Sequence, residues 1–265
     1  MRCREQGGPS VLPPAEPWTS RYFPEVVVLA RGRVRLLEGE RVAGAVGRML
    51  ERFQVAGGAR VRVASADGTD GPMLVQANLC VAANPARMQS LTDGRGNIFP
   101  AVARLEQQIK ALSSPWQPRS WPDTARRPLD LHGRNPIARR KAVPLRTLDP
   151  LTAARLMDAM DYDVHLFTDA RTGVDAVVYR AGPTGIRLHR QHHANPPPPQ
   201  PDSSPLRIDP RAAPISTEAE AVHRLCEHGL PFLFYTDRGS GRGHLLYRRY
   251  DADLTLVTPA TGTAS

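Results

Sequence analysis

One repetition constrains this chain more than anything else in it. At an offset of 68 residues Thr168-Asp169 aligns with Thr236-Asp237, Gly173 with Gly241, Tyr179-Arg180 with Tyr247-Arg248 and Leu188 with Leu256. Apolar classes keep the same offset, matching Met157 with Leu225, Leu166 with Phe234, Phe167 with Tyr235 and Val177 with Leu245. Self-similarity at a fixed spacing marks two copies of one structural unit, so the C-terminal half is built from tandem repeats. Units of about 40 residues rarely bury enough apolar surface to stand alone. The copies are therefore expected to need each other, meeting through Val164, Leu166, Phe167, Val177 and Tyr179 of the first and Phe232, Phe234, Tyr235, Leu245 and Tyr247 of the second.

Each copy opens on a helix start signal, Asp149 before Pro150 in the first and the capping-box pair Thr217 and Glu220 in the second. A short helix gives way to a strand, a T-D-x-x-[TS]-G turn, a strand ending in Tyr-Arg, another turn and a last strand. That is a helix plus a three-stranded meander. Comparing the copies also removes a tempting motif. Gly239-Ser240-Gly241-Arg242-Gly243 resembles a phosphate-cradling loop, but no helical pattern follows it. Its counterpart, Arg171-Thr172-Gly173-Val174-Asp175, keeps only the glycine that a turn requires. The segment reads as a hairpin turn, served by Asp169 and Asp237 through side-chain hydrogen bonds. Between the copies, His189 to Pro214 carries the polyproline run Pro196 to Pro199, a stiff spacer. His189, His192 and His193 lack the cysteine or acidic neighbours that would complete a metal site, so neither a metal nor a cofactor is expected.

The N-terminal half has a different pattern. Residues 1–22 are rich in Pro, Gly and polar side chains without periodicity and read as a disordered tail. Glu25 to Ala30 is a strand candidate. Arg41 to Phe53 then sets Val42, Val46, Met49, Leu50 and Phe53 at helical spacing, with Arg41, Arg48 and Arg52 in a stripe off that apolar arc. Gly57 and Gly58 end the helix, and Ala59 to Ala64 alternates, Val61 and Val63 one way and Arg60 and Arg62 the other. Met73 to Val81 and Ala86 to Leu91 continue as strands. Val102, Leu105, Ile109 and Leu112 mark a last helix that carries Arg104 and Lys110 off its apolar stripe. The order is β-α-β-β-β-α, and the chain as a whole is α+β. Ser114 to Asn135, rich in Pro and Arg, reads as an extended linker whose Trp116 and Trp121 either stack on bases or fold back onto the first domain. Three cysteines without C-x-x-C spacing fit a reducing compartment, and Cys80, inside an apolar run, is expected to be buried.

The net charge of +9 is unevenly placed: residues 1–113 carry 15 basic side chains against 10 acidic, 114–146 carry 8 against 2, and 147–265 carry 12 against 14. Phosphate neutralisation dominates nucleic-acid affinity, so the front of the chain is the part suited to a polyanion. Only Lys110 and Lys141 among the basic residues are lysines. Guanidinium groups fork onto phosphate and stack on bases, as RNA binding requires, though a GC-rich genome gives the same bias. No apolar run approaches the ~20 residues of a transmembrane helix. The N-terminus has no apolar core of a secretory signal, so a cytoplasmic location without membrane partners is expected. No nucleophile with a base partner, paired-carboxylate motif or ligand cluster is visible, which points away from an enzyme.

Arg139-Arg140-Lys141, the helix through Met157 and the stretch His165 to Gly185 (HLFTDARTGVDAVVYRAGPTG) resemble the C-terminal domain of long-form ribosome hibernation-promoting factors. The shared features are a basic lead-in, a Met-bearing helix, a phenylalanine-rich strand, a turn and a V-x-Y-R strand followed by a Gly turn. Thr217 to Pro259 carries the pattern less fully, with Asp253 where the first copy has Gly185. The N-terminal element order and Leu105-Glu106-Gln107-Gln108-Ile109-Lys110 resemble that family's ribosome-binding domain, whose basic helix faces are thinner here. The resemblance implies a non-enzymatic translation inhibitor that sits in the small-subunit channel, against rRNA, where mRNA and tRNA anticodons would lie, and so blocks translation under stress. It implies a tail at 1–22, a ribosome-binding domain at 23–113, a linker at 114–138, C-terminal units at 139–190 and 215–259 joined by 191–214, and a short tail at 260–265. Arg41, Arg48, Arg52, Arg60, Arg62, Arg104 and Lys110 are then expected on rRNA phosphates, with Arg139, Arg140 and Lys141 beside them. Related long forms pair their single C-terminal unit with that of a second molecule. Here both units share one chain, so a monomeric pseudo-dimer is expected. The alternative is a regulatory protein that binds a non-ribosomal partner through the C-terminal pair, its N-terminal domain having lost RNA affinity.

Overall fold

The computed structural model describes residue 12 and residues 16–65, 72–92, 97–119, 137–192, 205–249 and 253–260. The chain divides into two compact units, one built on the N-terminal sheet and the other on the two repeats.

The first unit runs β1 (Pro17–Thr19), β2 (Val26–Arg31), α1 (Leu36–Arg52), β3 (Ala59–Ser65), β4 (Met73–Val81), β5 (Asn84–Leu91) and α2 (Phe99–Leu112). Its sheet has the order β1-β2-β3-β4-β5, with β2 and β3 parallel across the α1 crossover and the other neighbours antiparallel. The β-α-β-β-β-α order read from the sequence is therefore present, with one strand added. β1 lies inside the stretch that reads as a tail: Trp18 packs against the core, and Leu12 is buried with its N–H donating to the Val34 carbonyl at 2.8 Å. A three-residue strand offers no periodicity to detect, so only tertiary burial defines it.

Alternation along the strands turns Val61, Val63, Val75, Ala77 and Met88 to one side, where Val42, Val46, Met49 and Leu50 of α1 and Ala101, Leu105 and Ile109 of α2 complete a single core. The same alternation corrects the expectation for Cys80. Leu79 and Val81 point inward, so Cys80 between them is exposed. Gly58 makes the passage from α1 into β3 possible: its φ is +72°, and a Cβ there would stand 2.3 Å from the Glu25 carbonyl oxygen.

The rest of the chain runs β6 (Ile137–Val143), β7 (Thr147–Leu148), α3 (Pro150–Ala159), β8 (Val164–Asp169), β9 (Asp175–Arg180), β10 (Ile186–Arg190), β11 (Leu206–Ile208), β12 (Ile215–Ser216), α4 (Glu218–Glu227), β13 (Phe232–Asp237), β14 (Gly243–Arg248) and β15 (Leu254–Pro259). Each repeat is the expected helix and meander with a two-residue strand in front. Both helix starts match the sequence signals. Asp149 Oδ1 accepts from the N–H groups of Leu151 and Thr152 at 3.0 and 3.2 Å, and Thr217 and Glu220 close a capping box at 3.3 and 2.8 Å. In the second repeat Ala221 and Leu225 of α4 pack on Leu233, Tyr235, Leu246, Leu254 and Leu256.

Both sheets reach five strands by exchange. β6 does not join the repeat it precedes; it lies parallel to β15 at the edge of the second repeat's sheet. β11, from the segment that reads as a spacer, lies parallel to β10 at the edge of the first. Arg139 opposes Thr255 as Arg207 opposes Arg187, and both correspondences keep the 68-residue offset. The two lead segments are thus traded reciprocally, which the boundaries 139–190 and 191–214 do not anticipate. Parallel edge pairing draws on a remote segment, and local pattern carries no record of it.

Where the two sheets face each other, Leu166, Val177, Ala213, Phe234 and Leu245 form an apolar cluster bordered by Val164, Tyr179, Phe232 and Tyr247. Tyr179 and Phe232 meet edge-on at 5.2 Å. Phe167 and Tyr235, also expected at this contact, are buried elsewhere. One position on from Leu166 and Phe234, they turn to the opposite face of their strands, Tyr235 into the core beneath α4.

Candidate nucleic-acid interface

The exposed cations singled out from the sequence in the first unit fall on two faces. α1 buries Val42, Val46, Met49 and Leu50 and leaves Arg41, Arg48 and Arg52 outward at i, i+7 and i+11, one stripe on the helix. Each guanidinium has a support. Arg41 Nη1 donates to Glu38 Oε1 at 3.0 Å. The Arg52 guanidinium carbon stands 5.3 Å from the Phe53 ring centroid, with Nη1 3.7 Å from Glu106 Oε1. Arg48 covers Phe23 at 6.0 Å, and two glycines make that possible. A Cβ on Gly47 would stand 2.0 Å from Phe23 Cδ1, so the ring lies against bare helix backbone at Gly44 and Gly47 and the guanidinium closes over it. Such an exposed cation–π contact contributes only about 0.5–1 kcal/mol, but it restricts where the charge can be.

Lys110, exposed on α2, pairs with Glu106 at 2.7 Å. The Lys110 hydrogen bond, with the charges of Lys110 and Arg52, holds the Glu106 carboxyl below its ordinary value. Glu38 and Glu106 therefore dilute the stripe. The Lys110–Glu106 pair lies at the surface, where such pairs are weak and a phosphate can take the place of Glu106, whereas Glu38 is buried and anchors Arg41. Arg104, expected beside Lys110, is not on the surface. It is 2% exposed and its Nη2 lies 2.6 Å from Asp161 Oδ1, one of the residues 159–161 that the first unit also holds. A buried guanidinium already paired to a carboxylate has no access to a phosphate, so Arg104 leaves the candidate set.

The second face is the side of the sheet away from α1 and α2. Arg60 is exposed there and Arg62 half-buried. Strand register aligns Arg60 with Asn78 and Arg87, and Arg62 with Gln76 and Gln89, making two polar rows across β3, β4 and β5. Arg87 Nη2 donates to Gln76 Oε1 at 2.6 Å and to Gln89 Oε1 at 3.0 Å. Sequence reading misses Gln76, Asn78, Arg87 and Gln89. Alternation in β4 and β5 marks them as outward, but only the register joins them to the arginines of β3.

The basic lead-in has a different occupation. On β6, Arg140 forks onto Glu218 in the first turn of α4, with Nη2 2.6 Å from Oε1. Hydrogen bonding and charge across this pair hold Glu218 low and Arg140 high. Lys141 Nζ donates to the Tyr247 hydroxyl at 3.1 Å and stands 5.7 Å from that ring. Arg140 and Lys141 thus tie β6 to the second repeat, whereas Arg139 is exposed.

The glycine-rich segment at 239–243 is a hairpin turn between β13 and β14, with Gly241 at φ +67° as Gly173 is at +70°. Asp237 Oδ2 accepts from Ser240 N at 2.8 Å, and Asp169 Oδ1 from Arg171 N at 3.0 Å, the turn roles read from the sequence. Among the described residues no three His, Cys, Asp or Glu side chains converge as metal ligands. Nor among them is any helix long and apolar enough to cross a membrane. Trp116 is half-buried; Trp121, His193 and the run Pro196 to Pro199 lie outside the described residues.

A family model described as Sigma 54 modulation/S30EA ribosomal protein C terminus matches residues 133–188. Two curated proteins called dormancy associated translation inhibitor, from Mycobacterium tuberculosis strains CDC 1551 / Oshkosh and ATCC 25618 / H37Rv, are each 53% identical to this chain over 250 residues. Each alignment covers 92% of this chain and 92% of the relative.

Proposed function

The chain belongs to the long-form ribosome hibernation-promoting factor family, and from that premise we propose that it is a ribosome-associated translation inhibitor which occupies the mRNA–tRNA channel of the small subunit under stress or dormancy. The observation that carries this reading is the α1 stripe of Arg41, Arg48 and Arg52 with Lys110 nearby on α2. Compact, folded RNA is recognised mainly by shape and phosphate, which calls for cations on a rigid α/β frame and no base-reading code. Arg60 and Arg62, in their polar rows, make a second candidate contact, and Arg139 a peripheral one. The name that both relatives carry supports inhibition as the outcome of binding. No step of this function calls for catalysis or a cofactor.

The second half of the proposal is that the two repeats pair within the chain, leaving a monomer that quiets single ribosomes. Its support is the cluster around Leu166, Val177, Phe234 and Leu245 and the traded strands β6 and β11. A tether keeps the second repeat at an effective concentration on the order of millimolar, above what a free partner would reach.

Cell-free translation tests the first half. At low ionic strength and stoichiometric excess over ribosomes, the protein should suppress mRNA-directed synthesis and co-sediment with the small subunit. Undiminished synthesis would leave the non-ribosomal regulator as the better reading, and recovery of other proteins in place of small-subunit proteins from a nuclease-treated lysate would support it.

A further inference from the structure

At the centre of the pairing surface the two repeats are not equivalent. Asp175 opens β9 and Gly243 opens β14, and the 68-residue offset makes them the same position of the repeat. In the folded chain they touch. A Cβ on Gly243 would stand 2.7 Å from Asp175 Cβ and 2.8 Å from Phe234 Cε2, so the glycine is the space that the aspartate fills.

The Asp175 side chain is 2% exposed, yet it is fully partnered. Arg242 donates from Nε to Oδ2 at 2.8 Å and from Nη2 to Oδ1 at 3.1 Å, and the Gly243 N–H reaches Oδ2 at 2.9 Å. Thr168 Oγ1 adds a bond at 3.2 Å from its own repeat. Burial alone would raise this carboxyl, but the bonds from Arg242 and Gly243 outweigh it and leave the group below its ordinary value. Gln191 completes the clasp. Its Oε1 accepts from the Asp175 N–H at 3.1 Å, while its Nε2 donates to Gly241 O at 3.1 Å and Thr236 Oγ1 at 3.3 Å.

Arg242 and Gln191 are each answered in the other repeat by a residue that cannot do its work. Val174 stands where the second repeat has Arg242, and Pro259 stands where the first has Gln191. The surrounding apolar positions differ in size at most: Leu166 answers Phe234, Val177 answers Leu245, and Tyr179 is matched by Tyr247. Those positions discriminate only weakly between combinations of repeats. The polar centre discriminates strongly. Two first repeats would bring carboxylate against carboxylate with no cation and no room; two second repeats would leave a gap between glycines and two arginines without an acid. Discrimination of this kind comes from what the wrong pairing must suffer.

We propose that Asp175, set against Gly243, Arg242 and Gln191, is the selector that makes this surface accept the other repeat of the chain and refuse a like repeat from a second copy. The proposal rests on the reading that the repeats pair within the chain. It adds that the pair is encoded as two unlike halves, so a symmetric bridge between chains through their first repeats is blocked by chemistry as well as by tethering.

The test uses the full-length chain. Gly243→Asp makes the halves alike at this position. It should lower the melting midpoint of the paired repeats by roughly 5–10 °C and speed amide exchange in β9 and β14 at least tenfold. Adding Asp175→Gly restores one acid facing one glycine and should recover about half of the drop in midpoint. Adding Val174→Arg and Arg242→Val, which moves the cation across, should recover most of the remainder. If Gly243→Asp alone fails to fold, recovery on adding Asp175→Gly still decides. Gly243→Asp indistinguishable from wild type, or no recovery with Asp175→Gly, overturns the selector. Phe234→Ser separates this failure from failure of the pairing itself: loss of β9 protection in Phe234→Ser but not in Gly243→Asp sinks only the selector, whereas protection unchanged in both sinks intrachain pairing too.

Discussion

Arg48 and Arg52 rest on aromatic rings at the surface of a helix whose core-facing side chains lie elsewhere, so replacing both with alanine should leave α1 intact and change only what it binds. Alanine is the best helix former, so the helix itself is not weakened, and an unchanged melting midpoint separates lost binding from lost packing over Phe23 and Phe53. Ribosome affinity should fall, and the slope of log affinity against log salt should flatten by about one for each phosphate no longer neutralised. Co-sedimentation over a salt series measures it; an unchanged slope would take the stripe out of the binding surface. The sequence treats Arg104 and Lys110 alike, as cations off the same apolar stripe. What separates them is Asp161, far along the chain, whose carboxylate fixes Arg104 in the interior. No periodicity reports such a partner. His165 supports a prediction about pH. Burial, aided by the charge of Arg146, lowers its imidazole to about 4, against an ordinary value of about 6.5 in the unfolded chain. Between those values the unfolded chain takes up a proton that the folded one refuses, so stability is complete above pH ~6.5 and declines as pH falls towards ~4. The full loss from this residue is roughly 3 kcal/mol. Melting midpoints of His165→Gln should therefore depend less on pH across that window than those of wild type, and equal slopes would contradict the assignment.

At the scale of elements, most of the architecture is legible before folding is considered. The 3.6-residue rhythm of α1, the alternation of Val61 and Val63 with Arg60 and Arg62, and the Asp149 and Thr217 caps all announce themselves locally. The two-residue strands β7 and β12 and the traded strands β6 and β11 do not, because their existence depends on an edge supplied from elsewhere. Phe167 and Tyr235 are legible as buried apolar positions, while the face each takes needs the pairing register. The exchange has a testable consequence. Leu206 lies in the segment that leads into the second repeat, yet it is buried against Ile186 at the edge of the first. Leu206→Asp should destabilise the chain by roughly 3 kcal/mol, as an unpaired buried charge does. Its mark should be faster hydrogen exchange in Ile186–Arg190. Loss confined to the second repeat would mean that β11 does not serve the first.

For the whole molecule, tethering and the Asp175–Gly243 contact both favour one chain closing on itself. Light scattering at micromolar protein should give a mass near 29.1 kDa, and ribosomes treated with the protein should sediment singly. Twice that mass, or abundant ribosome pairs, would show that the repeats pair between chains. The traded strands also bear on how such a molecule comes into being. While the polypeptide is still being made, β10 stands with a bare edge until residues 206–208 have emerged, and β6, finished early, waits for β15. The first repeat's sheet can close once residues 206–208 have emerged, but the second repeat's sheet, and with it the C-terminal body, stays open until its last strand, β15, leaves the ribosome.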